Sequence, residues 1–263
     1  MKTSDLLKQY GIKLKKNLGQ NFLSNTEIAR QIVEVANVKA DDVILEIGPG
    51  AGTLTEELLK TGAKVVGVEI DKRLKPLLER LNEFENFTLV FEDFLKFDIS
   101  TLPKHFRVVS NIPYSITGPI LKKLLFSDFS DAYLMVQKEV GERLLAPIGD
   151  SNRSFLTVVV QTFCTVEKVL TVSKGNFVPN PKVDSVVLHI SKNTEVYEKY
   201  DIKIFWDFVS KCFGQKRKTL YNNLKTFVNN LDDLKKKYDL TLRPEQVSKE
   251  MFLQIFEELL SPN

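Results

Sequence analysis

The chain has 263 residues, 43% of them hydrophobic and 27% charged, with a formal net charge of +3; that is enough for one large core and a small second one, in the composition of an ordinary globular protein rather than a disordered or fibrous one. Cys164 and Cys212 form no CxxC pair and His105 and His189 are the only histidines, so neither a disulfide framework nor a metal site is expected. No apolar run approaches the ~20 residues of a membrane span and the lysine-dotted start lacks a signal-peptide core, which makes the cytoplasm the expected compartment.

Residues 1–20 carry Lys2, Lys8, Lys13, Lys15 and Lys16 against Asp5 alone. Lys13 to Leu23 passes from basic to polar and reaches an aromatic just before a helix. Ser24 or Asn25 can cap that helix, with Glu27 in its first turn. Thr26 to Asn37 then directs Ile28, Ile32, Val33 and Val35 inward. Val43-Ile44-Leu45 reads as a buried parallel strand. It stops at Glu46 and runs into Gly48-Pro49-Gly50-Ala51-Gly52, where glycines allow a sharp turn and the close approach of a ligand to bare backbone. Thr53 to Lys60 is a predicted helix with Leu54, Leu58 and Leu59 on one face. A second strand, Val65 to Ile70, ends in Glu69-Ile70-Asp71. Strand, glycine turn, helix and strand together make one half of a doubly wound nucleotide-binding sheet.

The spacing selects the nucleotide. A dinucleotide site needs G-x-G-x-x-G to bring a helix N-terminus to a pyrophosphate, and here Thr53 stands where that third glycine belongs. A phosphate loop needs Gly-Lys-Ser/Thr, which does not follow. G-x-G-x-G with an acid closing the next strand suits a nucleoside without phosphates, S-adenosylmethionine. Glu69 lies 21 residues after Gly48, where a carboxylate can hold both ribose hydroxyls. The competing reading is a tight turn without a ligand.

Leu74 to Phe84 continues as a helix with Pro76 tolerated near its start. Phe87 to Phe91 is a third strand and runs into Glu92-Asp93-Phe94, at the carboxyl edge where ligands of open α/β sheets sit. Arg107 to Ser110 is a fourth, ending in Asn111-Ile112-Pro113-Tyr114. A helix from Thr117 to Phe126, a fifth strand from Ala132 to Gln137 and a charged helix from Lys138 to Leu145 come next. By propensity, Phe155 to Val172 is one β-branched strand, long enough that it should split. Val183 to Ile190 is the last strand. Residues 191–200 are polar and read as a linker, and everything beyond is helical. Phe205, Phe208, Val209 and Phe213 share a face there, as do Leu220, Leu224, Phe227, Val228 and Leu231. A last helix after Arg243-Pro244 is expected to pack through Val247, Met251, Ile255 and Leu259. Residues 203–225 hold Lys203, Lys211, Lys216, Arg217, Lys218 and Lys225 against Asp207 alone. Two basic stretches on a nearly neutral chain suggest a bound polyanion; two solvated lysine faces would look the same.

The tetrapeptide Asn111-Ile112-Pro113-Tyr114 carries the most chemistry. An exocyclic adenine amine is a poor nucleophile because its lone pair is delocalised into the ring. An asparagine oxygen and the backbone carbonyl beside a proline can accept both amine hydrogens, which favours the pyramidal nitrogen of the transition state. Pro113 stiffens the loop and Tyr114 offers a face for the base. A plain β-turn would use similar residues; after a glycine turn and Glu69, the catalytic reading is preferred.

Eight blocks in order closely resemble the ribosomal RNA adenine dimethyltransferases of the KsgA type: GQNFL (19–23), LEIGPGAGTLT (45–55), VEID (68–71), EDF (92–94), NIPY (111–114), QKEVGERL (137–144), NFVPNPKVDS (176–185) and FGQKRKTLYNNL (213–224). The resemblance implies a seven-stranded Rossmann-like class I methyltransferase sheet over residues 1–192, a linker at 193–200, and a small all-helical RNA-binding domain at 201–263. It also makes Phe155–Val172 a helix followed by a strand, against propensity. The implied activity is S-adenosylmethionine-dependent dimethylation at N6 of two adjacent adenosines near the 3′ end of 16S rRNA in the small subunit or its precursor. A role in subunit biogenesis goes with it, for a cytoplasmic, metal-free monomer. By position, Asn21 and Leu23 would close over the cofactor, with Gly48 beneath its methionine part. Glu69 would take the ribose and Asp93 the adenine amine, with Gly50, Ile70 and Phe94 completing the contacts. Asn111 would lie between cofactor and target, with Pro113 beside it, and Tyr114 and Phe177 would sandwich the target adenine. Lys15, Lys16, Lys216, Arg217 and Lys218 are the candidate RNA contacts. Asn152-Arg153 departs from the Tyr-Gly of many relatives, leaving the role of that loop open. Two other readings compete: the Erm type, which modifies large-subunit rRNA, and an assembly or transcription factor that keeps the fold without needing methylation.

Overall fold

The apolar runs expected as strands are drawn into one sheet, because strands of this kind must cover both faces. The computed structural model describes residues 3–12, 20–229 and 231–260. The strands are β1 (Phe22–Leu23), β2 (Val43–Ile47), β3 (Lys64–Glu69), β4 (Phe87–Phe91), β5 (Arg107–Asn111), β6 (Asp131–Gln137), β7 (Cys164–Val172), β8 (Phe177–Val178) and β9 (Ser185–Lys192). Seven of them form a sheet in the order β4-β3-β2-β5-β6-β9-β7. From β4 to β6 every pairing is parallel, and β9 then runs antiparallel to β6, from Gln137 opposite Ser185 to Asp131 opposite Ser191. The parallel register brings Ile47, Glu69, Phe91 and Asn111 to one carboxyl edge. β2 is buried from Ile44 to Ile47, whereas β4, at the sheet's edge, has no fully buried residue.

The chain divides into two compact units, Met1–Gly141 with Glu167–Ser191 and Glu142–Val166 with Lys192–Asn263. In the first, α1 (Thr3–Gln9) is followed by α2 (Thr26–Val35), whose cap is Asn25, its side chain accepting from Glu27 N at 2.9 Å. The inward face of α2 is Ala29, Ile32 and Val33; Val35, expected among them, is exposed. α3 (Thr53–Leu59) buries Leu54, Leu58 and Leu59 as its periodicity requires. The stretch expected as a helix from Leu74 is broken, with the single turn α4 (Lys75–Leu78) between 3-10 turns. α5 (Thr117–Leu125) follows the Asn111–Tyr114 loop, and α6 (Lys138–Leu145) follows β6. β1 and β8 make a separate two-stranded ladder, with Leu23 opposite Phe177. Ser24 N and Oγ both donate to Asn176 O, at 2.8 and 2.9 Å. Phe22–Ser24 and Asn176–Val178, far apart in sequence, are thus two sides of one small structure.

The second unit corrects two readings based on local pattern. Phe155–Phe163 is a helix, α7, and only Cys164–Val172 is a strand. The helix is started by a capping box: Ser154 Oγ accepts from Thr157 N, and Thr157 Oγ1 accepts from Ser154 N at 3.1 Å. Val158, Val159, Val160 and Phe163 are all buried, so the helix has too little polar face to show a helical period, and burial overrides β propensity. The stretch read as a linker contains α8 (Thr194–Lys199), capped by Asn193. α9 (Ile202–Cys212), α10 (Leu220–Leu224), α11 (Asp232–Lys237) and α12 (Lys249–Leu260) follow. Their core is aromatic, with the Phe256 ring centre 5.2 Å from that of Phe205 and 5.4 Å from that of Phe208. α12 buries Phe252, Ile255 and Phe256, while Leu259 is exposed and Met251 only half-buried. Among the described residues no helix is long and apolar enough to cross a membrane.

Candidate active site

β2 ends on a turn that only glycine can make. Gly48, Gly50 and Gly52 all have left-handed φ, +74°, +61° and +80°, a region costly for residues with a Cβ. A Cβ on Gly50 would stand 2.6 Å from Cδ1 of Phe22. The close approach that requires this glycine is therefore made by the aromatic ring of β1, not by backbone alone. The turn is tied to β3 by Gly48 N donating to Val68 O at 2.8 Å. It is also tied by Glu69, whose Oε2 accepts from Gly50 N at 3.0 Å and whose Oε1 accepts from Asp71 N at 2.8 Å. Glu69 is nearly buried, and burial raises its carboxyl pKa above the usual range. The backbone N–H of Ile70 also favours its charged form, against the burial.

Above this turn is a cleft, open to solvent, walled by the ends of β2, β3 and β5. Of the expected cofactor residues, Asn21, Gly48, Gly50, Glu69, Ile70, Asp93, Phe94 and Asn111 all line it, and so do Pro113 and Tyr114. Asp93 does double service: its Oδ1 accepts from Leu95 N at 2.9 Å, capping the turn that carries Phe94. Leu23 faces a smaller neighbouring cavity beneath the glycine turn, shared with Glu46, Gly48, Gly50 and Asn111.

Asn111 is held in one orientation. Its Nδ2 donates to Asn21 O at 3.2 Å. Its Oδ1 is buried and has no hydrogen-bond partner among the described residues. Asn111 lines both the cleft and the smaller cavity that Leu23 faces. Tyr114 stands beside it with its hydroxyl 2.7 Å from Ser185 Oγ, and burial pushes its pKa up to about 12. Phe177 is completely buried opposite Leu23 in the β1–β8 ladder, and it is not among the residues that line the cleft.

Two residues of the site escape motif reading. Phe22 packs on Gly50, as above. Glu46 is buried, with its Oε2 unpartnered among the described residues, and burial pushes its carboxyl up to about 8. The available signal was an acid directly after the apolar run Val43–Leu45, placed before the glycines.

Lys15 and Lys16 lie outside the described residues. Lys216, Arg217 and Lys218 are exposed and belong to a turn between α9 and α10, not to a helix. That turn is fixed from inside by the buried Asn223. Its Oδ1 accepts from Gln215 N at 2.8 Å, and its Nδ2 donates to Gln215 O at 3.3 Å and Thr219 O at 3.0 Å. Arg153, by contrast, is buried: its guanidinium donates to Gln161 Oε1 at 2.7 Å and Ala146 O at 3.3 Å. It holds its own loop and does not face a polyanion.

A family model for the ribosomal RNA adenine dimethylases matches residues 11–261. The chain is 51% identical over 257 residues to a ribosomal RNA small subunit methyltransferase A of Thermotoga neapolitana, covering 97% of this chain and 95% of that one. Among solved structures, a dimethyladenosine transferase from Plasmodium falciparum is 31% identical with a TM-score of 0.77, over 90% of this chain and 97% of that one. The 23S rRNA methyltransferase ErmE is 29% identical with a TM-score of 0.71, over 92% of this chain and all of that one. The eight sequence blocks, the cleft they build and a match running nearly end to end place this chain in the ribosomal RNA adenine dimethylase family.

Proposed function

We propose that this protein dimethylates N6 of two adjacent adenosines near the 3′ end of 16S rRNA, acting on the small subunit or its precursor in the cytoplasm. The observation that carries the reading is the orientation of Asn111, whose amide nitrogen is held by Asn21 while its buried oxygen is left to accept. When bound, S-adenosylmethionine supplies a methyl group on a positively charged sulfur that leaves as a neutral thioether. The residues present fit that cofactor. Ile47, Val68 and Phe94 give an apolar lining, Glu69 stands at the cleft as an acceptor for ribose hydroxyls, and Asp93 lies at the cleft wall.

At the target, Asn111 Oδ1 and the Ile112 carbonyl accept the two amine hydrogens in the first transfer, and one of them accepts the remaining hydrogen in the second, directing the nitrogen lone pair; each new N–C bond leaves a cationic nitrogen that releases its proton to solvent. Because that geometry is reached only as the reaction proceeds, the interaction lowers the barrier rather than tightening ground-state binding. Tyr114, anchored through Ser185, gives the flipped base one stacking face. Lys216, Arg217 and Lys218, on a turn held rigid by Asn223, contact rRNA phosphates. The protein acts as a monomer, with residues 201–263 serving as its RNA-binding domain.

The test is to incubate immature small subunits and, separately, protein-free large-subunit rRNA with labelled cofactor, then map the modified adenosines. The expected product is N6,N6-dimethyladenosine at two neighbouring positions near the 3′ end of 16S rRNA. Label confined to large-subunit rRNA would replace this reading with the Erm type. No label in either would leave an assembly factor.

A further inference from the structure

Lys123 lies on α5, the helix that leads away from the Asn111–Tyr114 loop. Its ammonium donates to Phe94 O at 2.7 Å and also to Phe97 O. It stands 5.0 Å from the centre of the Phe94 ring, within cation–π range. Both phenylalanines are buried. The segment they belong to is a closed turn, with Lys96 N and Phe97 N donating to Asp93 O at 2.8 and 3.0 Å. Asp93 and Phe94 line one wall of the cleft, and Asn111 to Tyr114 line another. One lysine thus joins the backbone of the first wall to the helix behind the second. Charge-assisted bonds to two carbonyls are stronger than neutral ones and fix direction as well as distance.

We propose that Lys123 is a positioning residue for the cofactor: it sets the Asp93–Phe97 turn against the target-base loop, so that Asp93 and Phe94 meet the adenine ring in register with Asn111. This rests on the reading of Asp93 and Phe94 as the adenine contacts. A side chain that only stapled α5 to the rest of the unit would affect stability without favouring one ligand. The ammonium also lies near the carboxylates of Glu92, Asp93 and Asp98, so a substitution that removes charge alters the field at Asp93 as well as the turn.

The experiment uses the full chain as Lys123→Met, Lys123→Arg, Asp93→Ala and the Lys123→Met/Asp93→Ala double variant. S-adenosylhomocysteine affinity is measured by calorimetry and methylation of small subunits by steady-state kinetics. Lys123→Met should weaken cofactor binding roughly 10- to 100-fold, the scale of charge-assisted hydrogen bonds. KM for the cofactor should follow, with kcat at saturation changed by less than about threefold. Lys123→Arg, which keeps charge and donors, should recover most of the affinity. The double variant should lose clearly less than the product of the two single losses, because part of the effect of Lys123 runs through Asp93. Independent, multiplying losses would overturn the positioning role, and so would a fall in kcat as large as the fall in kcat/KM. Unchanged affinity in Lys123→Met beside a weakened Asp93→Ala sinks Lys123 alone. Wild-type affinity in Asp93→Ala sinks the adenine assignment underneath it. Should Lys123→Met not fold, Lys123→Gln, which retains a donor, is read by the same criteria.

Discussion

At the amino end of the sheet, Arg107 opens β5 by donating to Asp42 at 2.7 Å, to both oxygens of Asp131 at 2.8 and 2.9 Å, and to Ala36 O at 2.7 Å. The His189 ring stacks on Tyr133 beside it, with centroids 4.4 Å apart. At the carboxyl end of the same strands, Glu46 and Asn111 each hold a buried oxygen with no partner among the described residues, and Glu69 is a nearly buried acid. One end is built from matched charges. The other keeps polar atoms in a state that costs folding energy and suits them for a ligand. A single sheet thus separates the charged groups that pair with one another from the buried polar groups that border the cleft.

If that division is real, damage to the two ends should be told apart by what fails. Arg107→Met leaves two mostly buried carboxylates facing each other and should cost about 3–5 kcal/mol of stability, seen as a lower urea midpoint, while methyl transfer per folded molecule stays near normal. A large loss of specific activity in the folded fraction would show that the amino end reaches into catalysis. Asn111→Ala should do the reverse. Loss of a transition-state contact of this kind costs about 2.7–4 kcal/mol, or roughly 10²- to 10³-fold in single-turnover rate, with unfolding hardly altered. Near-normal turnover would remove Asn111 from the mechanism.

Glu46 gives a pH signature. Burial pushes its carboxyl up to about 8, so between about pH 5 and pH 8 the folded chain keeps a proton that the unfolded chain, with a carboxyl near 4.3, has released. Its contribution therefore becomes less favourable as pH rises through that window. The advantage of Glu46→Gln over wild type should grow by roughly 3–4 kcal/mol between pH 5 and pH 8; urea titrations with the same difference at both pH values would contradict this. Tyr114→Phe is expected to have the smallest effect. It removes the bond to Ser185, worth about 1 kcal/mol, and should slow methylation about fivefold or less, whereas a dead variant would give the hydroxyl a chemical role.

Much of the carboxyl end was legible because its residues are fixed by local chemistry. The glycines follow from turn geometry, Glu69 from a strand-end spacing, and Asn111 from the need for an acceptor before a proline. What was not legible depends on partners distant in sequence. Phe177 reads as a stacking aromatic in its block, yet pairing with Leu23 buries it. Nothing around Lys123 marks it, since the carbonyls it binds belong to residues 94 and 97. Phe155–Phe163 looks like a strand because a helix buried among apolar neighbours needs no polar stripe. Arg217 and its lysine neighbours looked helical until Asn223, a residue without an obvious motif role, was seen to hold them in a turn.

The β1–β8 ladder also bears on how the chain is made. Phe22 can lie against Gly50 early in synthesis, but the strand that holds it, Phe177–Val178, leaves the ribosome more than 150 residues later. Such a distant closure is entropically slow and waits for the intervening chain. A nascent chain halted before Phe177 would hold the glycine turn and Glu69 with the wall at Asn21 unsecured, and should bind cofactor weakly. Full capacity would come only with release of that strand, so the cofactor site is completed once about two-thirds of the chain has emerged.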